Sequence, residues 1–458
     1  MFGVAQPVGV QLAGSGEFRP LRGPLGALVF RPWFDWLALR AVVHWYLPLS
    51  RAWATALHAA GSVEAFRAET DGIRGHDGQL ARALARVQRR HAAYREADAA
   101  WEAGFFGPEP LAADRLIALE VARHASAHHL MATRGAFLSW RKLPPVRWEV
   151  AGPAAVEARH GHRLADEAAA FPVPSRTDIV ASHTIPSQYG REHWLRFTAP
   201  VLGDTVHARV YEPADVNDPP TFIYLHGIAM ENEMWQGAAS PVQQLNARGF
   251  RMLYPEGPWH GRRRQDGYYG GEPVIGRAPL GFIDFFQAWI AEVAALIGWA
   301  RRTSRGPVVL GGVSLGALTA QRLATAARHW PAELRPDALF LVATCGDVMS
   351  VARDGSLTRA LALDQVFAAN GWDDAALQRW RPLLEPGPVP ALPPERILMV
   401  LGDRDDLTPF AGGRALAGTW GVPAQNLFIR RQGHFSVSFG LLHQPEPFDR
   451  LTACLAGR

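Results

Sequence analysis

Ser314 is the residue whose surroundings point most directly to chemistry. It lies in the segment VVLGGVSLGALTA, residues 308–320, between Gly312 and Gly316. The apolar residues before it predict a buried strand, and the small residues after it recur at helical spacing. A sharp strand-to-helix turn leaves little room for neighbouring side chains, which explains both glycines. We therefore expect Ser314 to present its hydroxyl as a nucleophile beside the first N–H groups of the next helix.

A serine needs a base to remove its proton, and the base needs an acid to orient it. His434 is the best placed of the 17 histidines, because NLFIRRQGHFSVSFG predicts a strand, a Gly-His turn and a helix. The acid is expected after the preceding strand, where RILMVLGDRDDLTPF offers three aspartates. We choose Asp405 among them. Asp347, which follows the run ALFLVATCG, is the alternative.

These residues resemble the α/β-hydrolase superfamily, and in particular its serine-nucleophile esterases and lipases. The resemblance rests on GVSLG, GDRDDLTP and GH in that order, and it extends over about residues 200–458. It implies an α/β fold with a mostly parallel eight-stranded sheet and helices on both faces. It also implies a catalytic triad of Ser314 as nucleophile, Asp405 as orienting acid and His434 as general base.

The resemblance also implies an oxyanion hole. The segment YLHGIAMENEMW carries His226 and Gly227, which match the His-Gly that shapes half of this hole in the family. The backbone N–H of Ile228 is then expected to act with that of Leu315. The residues Ile-Ala-Met depart from the usual family pattern, so Ala229 is the alternative to Ile228.

A second family-like segment is LYPEGPWHGRRR, residues 253–264. Glu256 occupies the acidic position of the family segment, whose arginine usually pins loops near the site. Three consecutive arginines exceed that need, so Arg262 or Arg263 is a candidate for binding an anionic group of the substrate. The alternatives are structural pairing and solvent exposure.

The order of elements predicts two domains. Apolar residues recur every three or four positions from about residue 34 to about residue 140, which predicts an all-helical N-terminal domain, residues 1–175. Short apolar runs separated by amphipathic segments then predict a catalytic domain with a parallel sheet, residues 176–458. The runs are 207–213, 221–227, 251–257, 307–313, 338–344, 396–402 and 426–432.

Two segments are candidates for covering the site. The insertion 347–392 is helical, and we favour a lid over a peripheral helical pair. The N-terminal helices are a candidate cap. Their segment LVFRPWFDWLALRAVVHWYLPLSRAW combines tryptophans with arginines, which suits a helix at a membrane surface. The alternative, which we favour, is a helix packed on its own domain.

Composition excludes several classes of function. The 458 residues carry a net charge of only +4, so we expect no nucleic-acid partner. Two cysteines, Cys345 and Cys454, provide neither a disulfide framework nor a metal cluster, so we expect no metal. The first 14 residues lack the basic region of a secretory signal, and no stretch predicts a transmembrane helix. We expect a cytoplasmic protein, with contact at a membrane periphery as the alternative.

The predicted function is therefore that of a serine hydrolase without a cofactor. It would cleave a carboxylic ester or related acyl bond, with a small acyl ester or lipid-like molecule as substrate. Alternatives are a hydrolase of carbon–carbon bonds, thioesters or lipids, and a non-catalytic scaffold that keeps the fold. The sequence leaves the substrate and the oligomeric state open.

Overall fold

The computed structural model describes residues 29–70, 77–140, 142–230 and 241–456. The expectation that no secretory signal is present concerns the first 14 residues and lies outside this part of the chain. The end of the segment YLHGIAMENEMW, residues 231–235, also lies outside it.

The described N-terminal part is helical, as its periodicity predicts. A π-helical turn, Val42–Tyr46, joins the first two helices, and a 3-10 segment, Thr133–Trp140, follows the fifth. The helices are α1 Pro32–Ala41, α2 Leu47–His58, α3 Val63–Glu69, α4 Asp77–Phe106, α5 Ala113–Ala132, α6 Pro153–His160 and α7 Glu167–Ala170.

A single ten-stranded sheet follows, in the order β1-β3-β4-β6-β5-β7-β8-β9-β10, with β2 paired to β3. All neighbours from β6 to β10 along this order are parallel, and the remaining pairs are antiparallel. The strands are β1 Val180–Ala181, β2 Ile185–Ser187, β3 Gly190–Thr198, β4 Thr205–Glu212, β5 Thr221–Leu225, β6 Arg251–Pro255, β7 Val308–Val313, β8 Ala338–Val342, β9 Ile397–Gly402 and β10 Leu427–Arg430.

The mostly parallel sheet is confirmed, but the expected number of eight strands is wrong. The seven apolar runs correspond to β4–β10, and no predicted run covers β3 or the two short strands beside it. Strand β3 reads GREHWLRFT, and its Glu192 and His193 are buried although they are polar. Burial of polar residues hides the apolar alternation by which a strand is recognised.

Helices cover both faces of the sheet. The side chains of β7 alternate between two apolar cores: Leu310 lies in the core that contains Trp289, and Val309 in the core that contains Phe340. The helices after the first strands are α8 Val242–Asn246, α9 Glu272–Gly276, α10 Leu280–Thr303, α11 Leu315–Ala326, α12 Val348–Asp354, α13 Ser356–Ala360, α14 Leu363–Ala369, α15 Asp374–Gln378, α16 Arg381–Leu384, α17 Phe410–Thr419, α18 His434–Gly440 and α19 Glu446–Ala456.

Helix α10 is the one helix in the described part of the chain that is long and apolar enough to cross a membrane. Its most apolar window has a mean hydropathy of 1.6, and 78% of that window is buried inside the protein. Trp289 and Phe286 of this helix are fully buried in the core beside the sheet. Such burial is typical of a core helix.

Candidate active site

Ser314 lies at the turn between β7 and α11, as the motif predicts. Its backbone adopts φ 54° and ψ −121°, which is a strained conformation for a residue with a side chain. A Cβ added to Gly312 would lie 2.4 Å from the carbonyl oxygen of Leu225, and one added to Gly316 would lie 2.2 Å from it. Both positions therefore require glycine. Ser314 itself remains half-buried, so its side chain is accessible from outside.

Asp405 and His434 meet beyond the ends of β9 and β10. The Nδ1 atom of His434 lies 2.9 Å from Oδ2 of Asp405, and both residues are buried. The other carboxylate oxygen, Oδ1, accepts the backbone N–H groups of Leu407 and Thr408, each at 3.0 Å. The Thr408 hydroxyl donates to Oδ2 at 2.8 Å. The Asp405 carboxylate is therefore held from several sides and orients the imidazole.

The charges around His434 favour its protonated form. Burial lowers the pKa of His434, but the nearby carboxylates of Asp405, Asp35 and Asp406 outweigh burial, and the net pKa is raised above its ordinary value. An imidazole of this kind can accept a proton from a neighbouring hydroxyl and hold it beside a carboxylate.

Asp347, the alternative acid, lies elsewhere. Its side chain accepts the N–H of Ser350 at 2.9 Å and so caps helix α12. A neighbouring arginine, Arg381, lies 3.9 Å from it. The carboxylate bonded to His434 is that of Asp405, so geometry favours the first choice of the sequence analysis.

The loop after β5 brings the expected oxyanion residues to Ser314. A Cβ added to Gly227 would lie 3.6 Å from Cβ of Ser314. The N–H of Ala229 is donated to Nε2 of His260 at 3.2 Å and is therefore occupied. This bond favours Ile228 over Ala229 as the amide that pairs with Leu315, the first residue of α11.

Two buried histidines hold this loop in their neutral forms. His226 Nε2 accepts the N–H of Gly257 at 3.0 Å, and burial lowers the pKa of His226 to about 4. Burial also lowers the pKa of His260 well below its ordinary value, and the rings of His226 and His260 lie 4.7 Å apart. A neutral Nε2 can accept an N–H, as both bonds require. His260 was not among the predicted site residues, although the segment LYPEGPWHGRRR contains it.

The hypothesis that Arg262 or Arg263 binds a substrate anion stays a prediction, and the structure pairs both arginines with carboxylates of the protein instead. The Arg262 guanidinium contacts Asp98 at 3.1 Å and Glu102 at 3.0 Å. The Arg263 guanidinium contacts Asp204 at 2.8 Å and Glu292 at 2.7 Å. Both groups are nearly buried, and their donors are directed at these carboxylates, so they tie elements together.

Arg263 also explains the role of the segment around Glu256. Its Nη1 atom donates to the backbone carbonyl of Glu256 at 3.0 Å. This bond joins the loop after β6 to the ion pair with Glu292 of α10. Structural pairing, the stated alternative, therefore accounts for both arginines.

The first N-terminal helices contact the same site, which the sequence analysis did not predict for particular residues. The Tyr46 hydroxyl donates to the carbonyl of Ala229 at 2.8 Å. Tyr46 and Ile228 also pack around an apolar cluster that includes Leu47 and Leu361. Asp35 accepts backbone N–H groups beside His434, including that of Phe435 at 2.6 Å.

The insertion 347–392 has two parts with different surroundings. Ser356 of α13 donates its N–H to the carbonyl of Asp406 at 2.7 Å, next to the site. Trp372 and Trp380 are instead buried in the main core, and Trp372 donates to the carbonyl of Ala151 at 2.8 Å. The lid stays a prediction, and α13 is the part closest to the triad residues.

The arrangement can support nucleophilic chemistry with its own side chains. Within the described residues, no group of three or more His, Cys, Asp or Glu side chains is arranged to hold a metal ion. A strained serine, a buried His–Asp pair and backbone amides near the serine are the components of acyl transfer through a covalent intermediate.

A match to one family model agrees with this architecture. The family model described as the alpha/beta hydrolase family matches residues 222–451. Acetyl xylan esterase 1 from Thermoanaerobacterium sp. is 16% identical, with a TM-score of 0.43 over 65% of this chain and 96% of its own. An S-formylglutathione hydrolase from Agrobacterium tumefaciens is 14% identical, with a TM-score of 0.40 over 61% of this chain and 100% of its own. A comparison with curated proteins finds no match.

Proposed function

Because this chain belongs to the α/β-hydrolase family, we propose that it is a serine hydrolase that cleaves a carboxylic ester or a related acyl bond. Ser314 is the nucleophile, His434 the general base and Asp405 the orienting acid. The backbone N–H groups of Ile228 and Leu315 stabilise the oxyanion.

The reaction proceeds in two halves. The Ser314 Oγ attacks the acyl carbon while its proton passes to Nε2 of His434, and the resulting tetrahedral oxyanion accepts the two backbone N–H groups. The alcohol leaves with the proton from His434, and an acyl-enzyme remains. His434 then takes a proton from water, the hydroxide attacks the acyl carbon, and the acid is released as Ser314 regains its proton.

The observation that carries this proposal is the buried bond between His434 and Asp405 at 2.9 Å. A carboxylate on Nδ1 leaves Nε2 as the proton acceptor and stabilises the imidazolium that forms. The positive φ of Ser314 supports the same assignment, because a strained turn is retained only where the surrounding structure imposes it.

The proposal is tested with a fluorophosphonate probe, which reacts with activated serines, on the full chain. We expect the wild type to be labelled and Ser314→Ala to be unlabelled. Ser62→Ala is the matched control, because Ser62 caps the exposed helix α3 and takes no part in the proposed chemistry. A series of p-nitrophenyl esters of increasing acyl length then measures the size of the acyl site.

The outcomes separate catalysis from the scaffold alternative. Labelling of the wild type and Ser62→Ala alone, with ester turnover lost in Ser314→Ala by roughly 10⁴-fold or more, supports the proposal. A folded wild type that neither reacts with the probe nor hydrolyses any ester contradicts it and favours a scaffold.

We also propose a second property, contact with an anionic lipid surface through the exposed face of α1. Trp33 is 53% exposed, Trp36 59% and Leu37 48%, and the Arg40 guanidinium lies over the Trp36 ring. Asp35, the one acidic residue of this helix, is directed at the His434 loop instead. An exposed aromatic face with a basic residue suits the interface of an anionic bilayer.

Flotation with vesicles tests this contact. We expect the protein to float with phosphatidylserine-containing vesicles more than with phosphatidylcholine vesicles, and the Trp33→Ala/Trp36→Ala variant to remain in the bottom fraction. Leu138→Ala is the control, because Leu138 is also 48% exposed but lies outside α1. Equal flotation of the wild type and the double variant overturns the proposal.

A further inference from the structure

We propose that Asp35 of α1 is a positioning residue for His434, because its carboxylate caps the helix that begins at this histidine. The inference rests on the proposed function of Ser314 and His434. It makes the N-terminal helical part of the chain a component of the catalytic arrangement.

Helix α18 has little capping of its own: the Ser436 hydroxyl accepts the N–H of Gly433 at 2.9 Å, but the N–H groups of Phe435 and Ser436 need an acceptor from elsewhere. It begins at His434, and the preceding residue is Gly433, which has no side chain that could accept an N–H. The first N–H groups of any helix lack partners within the helix. Without a partner from elsewhere, the turn that carries the general base would be free to fray.

Asp35 supplies the missing acceptor from about 400 residues away in sequence. Its Oδ1 accepts the N–H groups of Phe435 at 2.6 Å and Ser436 at 3.0 Å. Its Oδ2 accepts the N–H of Gly433 at 3.2 Å and the hydroxyl of Ser436. One carboxylate thus binds the chain immediately before and after His434, where its negative charge also suits the helix N-terminus.

The geometry also explains why residue 433 is glycine. A Cβ added there would lie 2.4 Å from Cγ of Asp35. Gly433 has φ −93°, so its backbone does not demand glycine. The close approach of the Asp35 carboxylate is therefore the reason for the absence of a side chain.

Further contacts fix α1 to both sides of the same turn. The Phe30 carbonyl accepts the side-chain amide of Gln432 at 3.1 Å. The Phe30 ring stacks on Phe439 of α18 at 5.6 Å, and the Phe34 ring contacts Phe439 edge-on at 6.3 Å. The position of α18, and with it that of His434 relative to Ser314, therefore depends on α1.

The experiment measures ester hydrolysis and fluorophosphonate labelling by the full chain carrying Asp35→Ala, Asp35→Asn or Ser436→Ala. Asp373→Ala is the matched control, because Asp373 caps helix α15 through the N–H of Ala376 at 2.8 Å, away from His434. Thermal unfolding of each variant is followed in parallel.

We expect Asp35→Ala to lower kcat and the labelling rate by roughly 30- to 100-fold with KM changed by less than about threefold, because a small misplacement of a catalytic group is costly. Asp35→Asn keeps one acceptor oxygen and should recover part of this loss. Ser436→Ala should lose about three- to tenfold, and Asp373→Ala should keep the wild-type kcat.

The pH profile provides a readout that a purely structural role would not change. The carboxylates that face His434 are Asp405, Asp35 and Asp406, and each raises its pKa. Removing the charge in Asp35→Asn should therefore shift the acid limb of kcat/KM to lower pH. A loss of stability alone would leave this limb in place.

The results distinguish the two proposals. A reactive wild type with unchanged kcat in folded Asp35→Ala overturns the inference and leaves the proposed function intact. If Asp35→Ala fails to fold, unchanged kcat and pH profile in both Asp35→Asn and Ser436→Ala overturn it. A wild type that is neither labelled nor active overturns the proposed function and the inference together.

Discussion

Two parts of the N-terminal helical region carry similar residues but have opposite surroundings. The hairpin of α4 and α5 packs on β3 and β4, and Trp101 and Phe105 are fully buried there beside Trp194. Helix α1 also contains tryptophan and arginine, yet none of its residues is buried, and Trp36 is exposed.

The carboxylates of the two parts show the same difference. Glu120 of α5 is fully buried and pairs with Arg123 at 3.1 Å and Arg209 of β4 at 3.4 Å. Asp35 of α1 accepts N–H groups at the edge of the proposed active site. The comparison teaches that residue type does not decide the role of a helix. The hairpin interface contributes to stability, whereas α1 places its carboxylate beside His434.

The largest effect is expected at the His434–Asp405 pair, beside the turn that α1 contacts. Asp405→Asn should lower kcat by roughly 10⁴-fold, because the amide cannot stabilise the imidazolium and favours the wrong tautomer of His434. Ester hydrolysis by the folded variant measures this. Asp347→Asn is the control, since the Asp347 carboxylate caps α12 beside Arg381, and it should change kcat little. Comparable losses in both variants would contradict the assignment of the acid.

A substitution in the interface of the α4–α5 hairpin is expected to change stability rather than kcat. Glu120→Ala removes the buried carboxylate that pairs with Arg123 and Arg209, and Glu192 still pairs with Arg209. It should lower the free energy of unfolding by about 3–5 kcal/mol. Urea unfolding measures this change. Glu96→Ala, at an exposed position of α4, should stay within about 0.5 kcal/mol. The comparison fails if folded Glu120→Ala loses kcat as strongly as Asp35→Ala.

The pH dependence of activity should respond to charges beside His434 and not to charges on the α4–α5 hairpin. A raised pKa means that His434 keeps its proton to higher pH, and a protonated imidazole cannot act as a base. We expect kcat/KM to fall about tenfold per pH unit below an acid limb that lies above about 6.5. Glu96→Gln, which removes a charge from the hairpin, should leave the limb unchanged. A wild-type limb well below 6.5 would contradict the prediction.

The smallest effect is expected on the preference between anionic and neutral substrates. Arg262 pairs with two carboxylates of α4, so Arg262→Met should reduce stability without changing the ratio of kcat/KM for anionic and neutral esters. Steady-state kinetics on a matched pair of esters, one carrying a remote carboxylate, measures this ratio. A selective loss on the anionic ester would restore the substrate-binding hypothesis that the geometry argues against.

Local patterns were sufficient for much of the catalytic framework. The apolar run before Ser314 and the glycines on either side of it predict a strand, a turn and a helix, and the structure has all three. The runs before Asp405 and His434 likewise predict β9 and β10. Such predictions succeed because strand burial and turn geometry depend on residues only a few positions apart.

The missed features depend on contacts that no local pattern contains. Strand β3 was missed because Glu192 is buried, and it is buried because Arg209 of β4 pairs with it at 2.5 Å. The tandem arginines Arg262 and Arg263 invite a substrate-binding hypothesis because their partners lie far away in sequence. Folding brings Asp98 and Glu102 to the first and Glu292 to the second.

The sequence by itself determined the α/β architecture, the helical N-terminal region and the three residues proposed for the triad, because each lies in a motif whose geometry is local. Only the tertiary structure decided which groups surround them. Asp35 reaches the turn of His434, and Tyr46 reaches the loop of Ile228, across long stretches of chain. The physical reason is that a hydrogen bond depends on distance in space, whereas a motif records only distance along the chain.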